Sequence, residues 1–147
     1  MTEIAFYHLT RKTLEAALPP LLGRTLAAGA RALVLCADEA RVALLDEALW
    51  ACTDPDWLPH GTAASGDAEL QPIWLATDDA APNGARYLFR VDDVPAALDR
   101  FDRVFDLFDG TDEGAVSAAR VRWQAAKAAG HAITYWQQGA RGWEKKA

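Results

Sequence analysis

Apolar and polar positions follow patterns whose period changes along the chain, and the changes mark out its elements. Ile4-Ala5-Phe6-Tyr7-His8 is short, aromatic-rich and closed by the polar Thr10-Arg11-Lys12, which reads as an opening strand. From Thr13 the spacing of Leu14, Ala17, Leu18, Leu21, Leu22 and Leu26 is helical and stops near Gly29. Pro19-Pro20 interrupts it. Proline lacks the amide hydrogen and clashes with the preceding turn, so a kink is expected there, or a new helix with proline in its first turn. The unbroken apolar run Ala32-Leu33-Val34-Leu35-Cys36-Ala37 suits a strand covered on both faces. Asp38 then supplies a cap for a helix whose apolar side is Val42, Leu44, Leu45, Ala48 and Leu49, through about Ala51.

After the turn chemistry of Thr53-Asp54-Pro55-Asp56, an extended segment follows at Trp57-Leu58-Pro59-His60-Gly61, since Leu58 precedes a proline. Residues 63–69 are small and polar, as in a mobile loop. Further strands are expected at 72–76 and 86–91, joined by the Pro82-Asn83-Gly84 turn, and a short helix at 95–102. Val104-Phe105-Asp106-Leu107-Phe108-Asp109-Gly110 alternates apolar with acidic residues, the pattern of a half-exposed strand. Thr111 or Asp112 then caps a last helix. Strands alternating with helices predict a parallel sheet with helices on its faces, the order of an α/β domain.

The arm at 115–138 carries the most distinctive surface pattern. Arg120, Trp123 and Lys127 are spaced to share one helical stripe, so two cations bracket an indole before the chain passes Gly130 into Ile133-Thr134-Tyr135-Trp136. Such a stripe suits an acidic ligand with an apolar end. Val116, Ala119, Trp123 and Ala126 also fit a core-facing stripe, with Arg120 and Lys127 at its solvated margin.

Length and charge narrow the picture. A chain of 147 residues, 51% hydrophobic and 24% charged, matches one domain with a real core. Apolar runs are far shorter than the ~20 residues a membrane helix needs, and the start lacks a basic-then-apolar signal pattern, so a cytoplasmic protein without membrane contact is expected. Residues 1–113 hold 9 Lys/Arg against 20 Asp/Glu, while residues 114–147 hold 6 Lys/Arg and only Glu144. Charge is thus segregated. An acidic body repels duplex nucleic acid, but its cationic end can capture a short acidic segment.

Catalytic signatures are missing. No phosphate-cradling glycine loop follows a predicted strand, and the loop 61–67 lacks the lysine. His8, His60 and His131 stand singly without metal-ligand spacing, and Cys36 and Cys52 read as small core residues. Neither Ser65 nor Ser117 lies in a nucleophile elbow. No cofactor, no metal and no catalytic residue are expected. Two other readings stay open: a small nucleotide-dependent α/β enzyme, suggested by layer order alone, and direct binding of single-stranded DNA through Trp123, Trp136 and Trp143 with nearby cations.

Several stretches together resemble a known family. Leu45-Asp46-Glu47-Ala48-Leu49-Trp50 followed by Trp57-Leu58-Pro59-His60, then Ala119-Arg120-Val121-Arg122-Trp123 and Ala128-Ala129-Gly130, look like the chi subunit of bacterial DNA polymerase III holoenzyme. Phe6-Tyr7-His8-Leu9 and Phe105-Asp106-Leu107-Phe108 agree with it. The resemblance implies a single three-layer α/β domain of Rossmann-like layering with a mainly parallel sheet over residues 1–138, followed by a basic tail at 139–147. It also implies a non-catalytic accessory subunit of the clamp-loader assembly that touches DNA only indirectly. One implied partner is the acidic C-terminal tail of single-stranded DNA-binding protein, held by Arg120 and Trp123 with Lys127, Arg122 and Ile133. The other is the psi subunit, or another clamp-loader or helicase-like protein, docking on Leu49, Trp50, Trp57, Leu58, Pro59 and His60. Where a member of the family has lysines flanking the key arginine, this chain has Val116 and Gln124.

Overall fold

A computed structural model of the chain describes residues 2–53 and 57–147. The expected turn at 53–56 lies largely outside them. Strand β1 (Glu3–Leu9) leads into helix α1 (Leu14–Ala27), then β2 (Ala32–Leu35), α2 (Glu39–Ala51), β3 (His60–Thr62), β4 (Ile73–Ala76), β5 (Tyr87–Arg90), β6 (Arg103–Asp109), α3 (Glu113–Ala128), β7 (Ala132–Gly139) and β8 (Gly142–Lys145). Among the described residues one sheet holds eight strands in the order β3-β4-β2-β5-β6-β1-β7-β8, and only the β7–β8 pair of these is antiparallel. α1 packs over β2 and β6 and α2 over β3 and β4, while α3 covers β6 and β7 from the opposite face. This is the three-layer α/β arrangement that the alternation predicts.

The period-2 rule divides the core. Ala5 and Tyr7 of β1 join Val34, Phe89, Phe105 and Leu107 on the α1–α2 side; Ile4 and Phe6 join Leu33, Leu88, Val104 and Phe108 on the α3 side. β2 is buried along its whole length, as a central parallel strand requires. α1 continues through Pro19 and Pro20 as one helix, so no second helix begins there. Both α1 and α3 end in the same device. Gly29 and Gly130 take positive φ of 78° and 84°, and the next amide reaches back to Thr25 or Ala126. Asp112 caps α3 by accepting from the Gly114 and Ala115 amides.

Two expectations change, the helix at 95–102 and the half-exposed strand at 104–110, and two others are refined. The Pro82-Asn83-Gly84 turn does not pair the strands it joins: β4 and β5 lie parallel on either side of β2. Buried Asn83 fastens this crossover, donating to the carbonyls of Ala32 and Gln71. The expected helix at 95–102 is only a 3-10 turn at Leu98–Arg100. The segment 57–61 contributes an additional edge strand, β3. β6 is not half-exposed; it lies between β5 and β1, with Asp106 fully buried. At the chain's end, β8 adds a strand within the stretch 139–147, and Trp143 packs edge-on against Tyr7 with ring centres 4.7 Å apart.

Candidate functional site

Alternate residues of β1 and single residues of β6 and β7 meet α3 around an open pocket of about 270 Å3, lined by Phe6, His8, Phe108, Val116, Ala119, Arg120, Trp123 and Tyr135. Its size lies near the lower bound of roughly 300–1,000 Å3 for small-ligand sites. Register explains the convergence. Phe6 lies opposite Tyr135 and His8 opposite Phe108, so residues distant in sequence become neighbours through parallel pairing. The Trp123 ring stands edge-on to Phe6 at 5.3 Å and to Tyr135 at 6.0 Å. Ala119 and Ala126 are buried and Val116 and Trp123 partly so, while Arg120 is exposed at the rim. The helical stripe is therefore both core edge and pocket wall.

Polarity inside the pocket is concentrated. His8 Nδ1 and the Tyr135 hydroxyl form a hydrogen bond, and the His8 ring lies 5.0 Å from that of Phe108. A side chain at Gly110 would overlap the His8 imidazole, so glycine is needed for this approach. Burial, then the nearby Arg120 charge, hold His8 below its usual pKa, against a backbone hydrogen bond at Gly110. Burial pushes the Tyr135 hydroxyl up, and Arg120 pulls it the other way. Among the described residues Arg120 makes no hydrogen bond or ion pair of its own. Its guanidinium fork is open to a carboxylate.

Arg122 belongs elsewhere. It donates to Asp106 through Nε at 2.7 Å and Nη2 at 2.9 Å, and to Asp93 through Nη1 at 2.9 Å. Arg90 reaches the same Asp106 at 3.2 Å. Burial works against the Arg122 charge, but the two carboxylates outweigh it and its pKa is raised. Lys127 is exposed away from the pocket lining, and Ile133 packs into the α3-side core and lines a different groove. Of the five residues expected to hold an acidic tail, the structure brings Arg120 and Trp123 together. Phe6, His8, Phe108 and Tyr135 were not anticipated in this role, because only strand register unites them.

The second expected surface is a corner between α2 and β3. Trp50 and Trp57 are 65% and 71% exposed, so neither completes the core. Pro59 is half-buried beside them, whereas Leu49, Leu58 and His60 are buried. His60 bonds Asp46 Oδ1 at 2.9 Å and the Leu58 carbonyl at 2.7 Å, and Trp50 lies over its ring at 4.7 Å. Buried His60 thus holds the exposed Trp50 in place. Elsewhere, Gln138 Oε1 accepts from three consecutive amides, Thr10, Arg11 and Lys12, at the C-terminal end of β1. Ligands of open parallel sheets characteristically bind at such ends. Here those donors are occupied by the protein itself.

No group of three metal-ligating side chains, and no helix long and apolar enough to cross a membrane, occurs among the described residues. Fold and surfaces together define a three-layer α/β domain with an open cationic-aromatic pocket and, at a separate corner, exposed tryptophans. The family model of the DNA polymerase III chi subunit, HolC, matches residues 1–134, and the chain belongs to that family. It is an accessory subunit type of DNA polymerase III, which places the chain with that holoenzyme in DNA replication. Curated proteins yield no match to the chain.

Proposed function

We propose that this subunit is a non-catalytic adapter whose pocket beside Arg120 takes the acidic C-terminal tail of single-stranded DNA-binding protein. The observation that carries this reading is an open guanidinium at the rim of an apolar, aromatic pocket. A chain terminus ending in an apolar ring needs both parts: a charged fork for its carboxylate and a dry wall for its side chain. Acidic residues before the terminus approach the cationic segment 114–147, where Lys127 supplies further exposed charge. Val116 lines the pocket, so its apolar side chain contributes wall where a lysine would contribute charge.

The Trp50–Trp57 corner is the proposed seat of a second partner, a psi-type subunit or another clamp-loader or helicase-like protein. Exposed tryptophans beside a proline make an anchor of the kind that dominates protein interfaces. Arg120 and Trp123 lie on α3, and Trp50 on α2 across the sheet, so both partners can be held at once.

Titration of an acidic peptide ending in phenylalanine tests the tail site. Saturable binding is expected, weakened by Arg120→Ala, by amidation of the terminal carboxylate and by salt. Equal affinity for the amidated peptide, or for Arg120→Ala, would remove the assignment. The reading as a nucleotide-dependent enzyme predicts a thermal shift with nucleotide; occupation of the Thr10–Lys12 amides by Gln138 argues against it.

A further inference from the structure

The side of the sheet opposite the Arg120 pocket carries a second cationic-aromatic surface. α1 and α2 pack over β2, β6, β3 and β4, and the β7–β8 end of this face lies outside both helices. Tyr7, Trp136 and Trp143 occupy it. Tyr7 and Trp136 are paired in register, with rings inclined by only 18° and centres 6.3 Å apart, and Trp143 stands edge-on to Tyr7. Both tryptophans are half-buried, so part of each ring reaches solvent. Lys145 lies directly opposite Trp136 in the antiparallel pair and shares its face.

Two grooves of about 180 and 240 Å3 meet at this surface, and both include Tyr7 and Arg103. Arg24 lines the first beside Tyr87 and Phe105, and Trp136 lines the second. The Arg103 guanidinium lies 4.9 Å from the Phe105 ring centre. Glu3 lies in the second groove, 3.7 Å from Arg103 and itself exposed. Arg24 and Arg103 in these grooves and Lys145 beside Trp136 outnumber Glu3, the acidic side chain that lines them, on a protein of net charge −6.

We propose that this face binds single-stranded DNA directly, with bases stacked on Trp136 and Trp143 and phosphates held by Arg24, Arg103 and Lys145. The chemistry suits that ligand class. Rings on a sheet accept any base face, flanking cations accept the backbone, and a duplex has its bases already stacked inside. An acidic peptide would also satisfy the cations, and its failure to compete is the outcome that separates the two ligand classes. Membership of a DNA replication family supplies the nucleic acid as DNA. The indole of Trp123, on the opposite face, takes no part. The surface would let the subunit touch the strand whose binding protein it is proposed to hold, but its existence is independent of that reading.

The test is fluorescence anisotropy of labelled oligothymidylate with the full chain at low salt, with a duplex of equal length and an acidic peptide as competitors. Saturable binding is expected, displaced poorly by either competitor. Trp136→Ala and Trp143→Ala should each weaken it by roughly 5- to 150-fold, the range for loss of one stacked base. Arg24→Ala and Lys145→Ala change exposed side chains, and each should lower the salt slope by about 0.7, keeping the proposal falsifiable if a tryptophan variant misfolds. Arg120→Ala should leave this binding unchanged while weakening capture of the tail peptide, which separates the two sites. Absence of saturable binding by the wild type, an unchanged salt slope in both cation variants, or preferential displacement by duplex or peptide would each overturn the proposal.

Discussion

Arg120 and Arg122 lie on the same helix and end in opposite environments. Arg122 is drawn inward to Asp106, which also engages Arg90, and its side chain is 11% exposed. Arg120 sits at the rim of the pocket formed by Phe6, His8, Phe108, Trp123 and Tyr135, without an ionic partner among the described residues. The difference is one of register: a step of two residues turns a helix by ~200°, so one guanidinium meets the carboxylate of β6 and the other points toward solvent. A basic residue beside a pocket is available for recognition only if no buried acid has already claimed it.

The sharpest break between these regions should come at Asp106. Asp106→Ala leaves Arg90 and Arg122 without their shared buried carboxylate, and removal of one partner from such an arrangement costs about 3–5 kcal/mol. Urea unfolding should show that loss, a large fraction of the roughly 5–15 kcal/mol that a domain possesses. A change below about 1 kcal/mol would mean that the cluster is not structurally required. Arg120→Ala should do the reverse. Unfolding should stay within about 0.5 kcal/mol of wild type, as for other surface changes, while the tail peptide loses about 1.5–3 kcal/mol, the worth of a hydrogen bond to a charged group. Calorimetry on the variant reads both numbers, and a large loss of stability would place Arg120 with Arg122 as a structural residue.

The α2–β3 corner supplies a third point on this scale. Trp57 is 71% exposed, so Trp57→Ala should scarcely alter unfolding, yet binding of a psi-type partner should weaken by at least about 1 kcal/mol. His60 is buried under Trp50 and bonded to Asp46, so His60→Ala should lower both stability and partner binding. If Trp57→Ala left all partner binding intact, the exposed tryptophans would need another explanation.

These contrasts show what pattern alone carries. The apolar periods locate β1, α1, β2, α2 and α3, because each buries one face or both and must show it in the sequence. The alternation in β6 misleads because Asp106 occupies a core-facing position whose burial depends on two arginines from other elements. Pro82-Asn83-Gly84 marks the turn between β4 and β5 correctly but not that the two lie parallel with β2 between them; buried hydrogen bonds from Asn83 fasten that crossover. The site is legible in part. Arg120 and Trp123 announce themselves on a helical stripe, whereas His8 and Tyr135 enter only through the pairing of β1 with β7.

The smallest expected effect concerns His8 and separates the pocket from the Asp106 cluster by pH. Because its pKa is lowered on folding, the unfolded chain takes up the proton first as pH falls through about 6.5. Its contribution is therefore fully present above that value and is lost on acidification toward the lower folded pKa. Urea midpoints between pH 7.5 and pH 5.5 should fall more for wild type than for His8→Gln, which keeps a hydrogen-bonding group for Tyr135 without the titration. A carboxylate bound beside Arg120 reverses the local field and favours the imidazolium, so tail-peptide affinity should rise over the same acidification, and less so in His8→Gln. Affinity independent of pH in wild type would place the ligand's carboxylate away from His8, and with it away from the inner wall of the pocket.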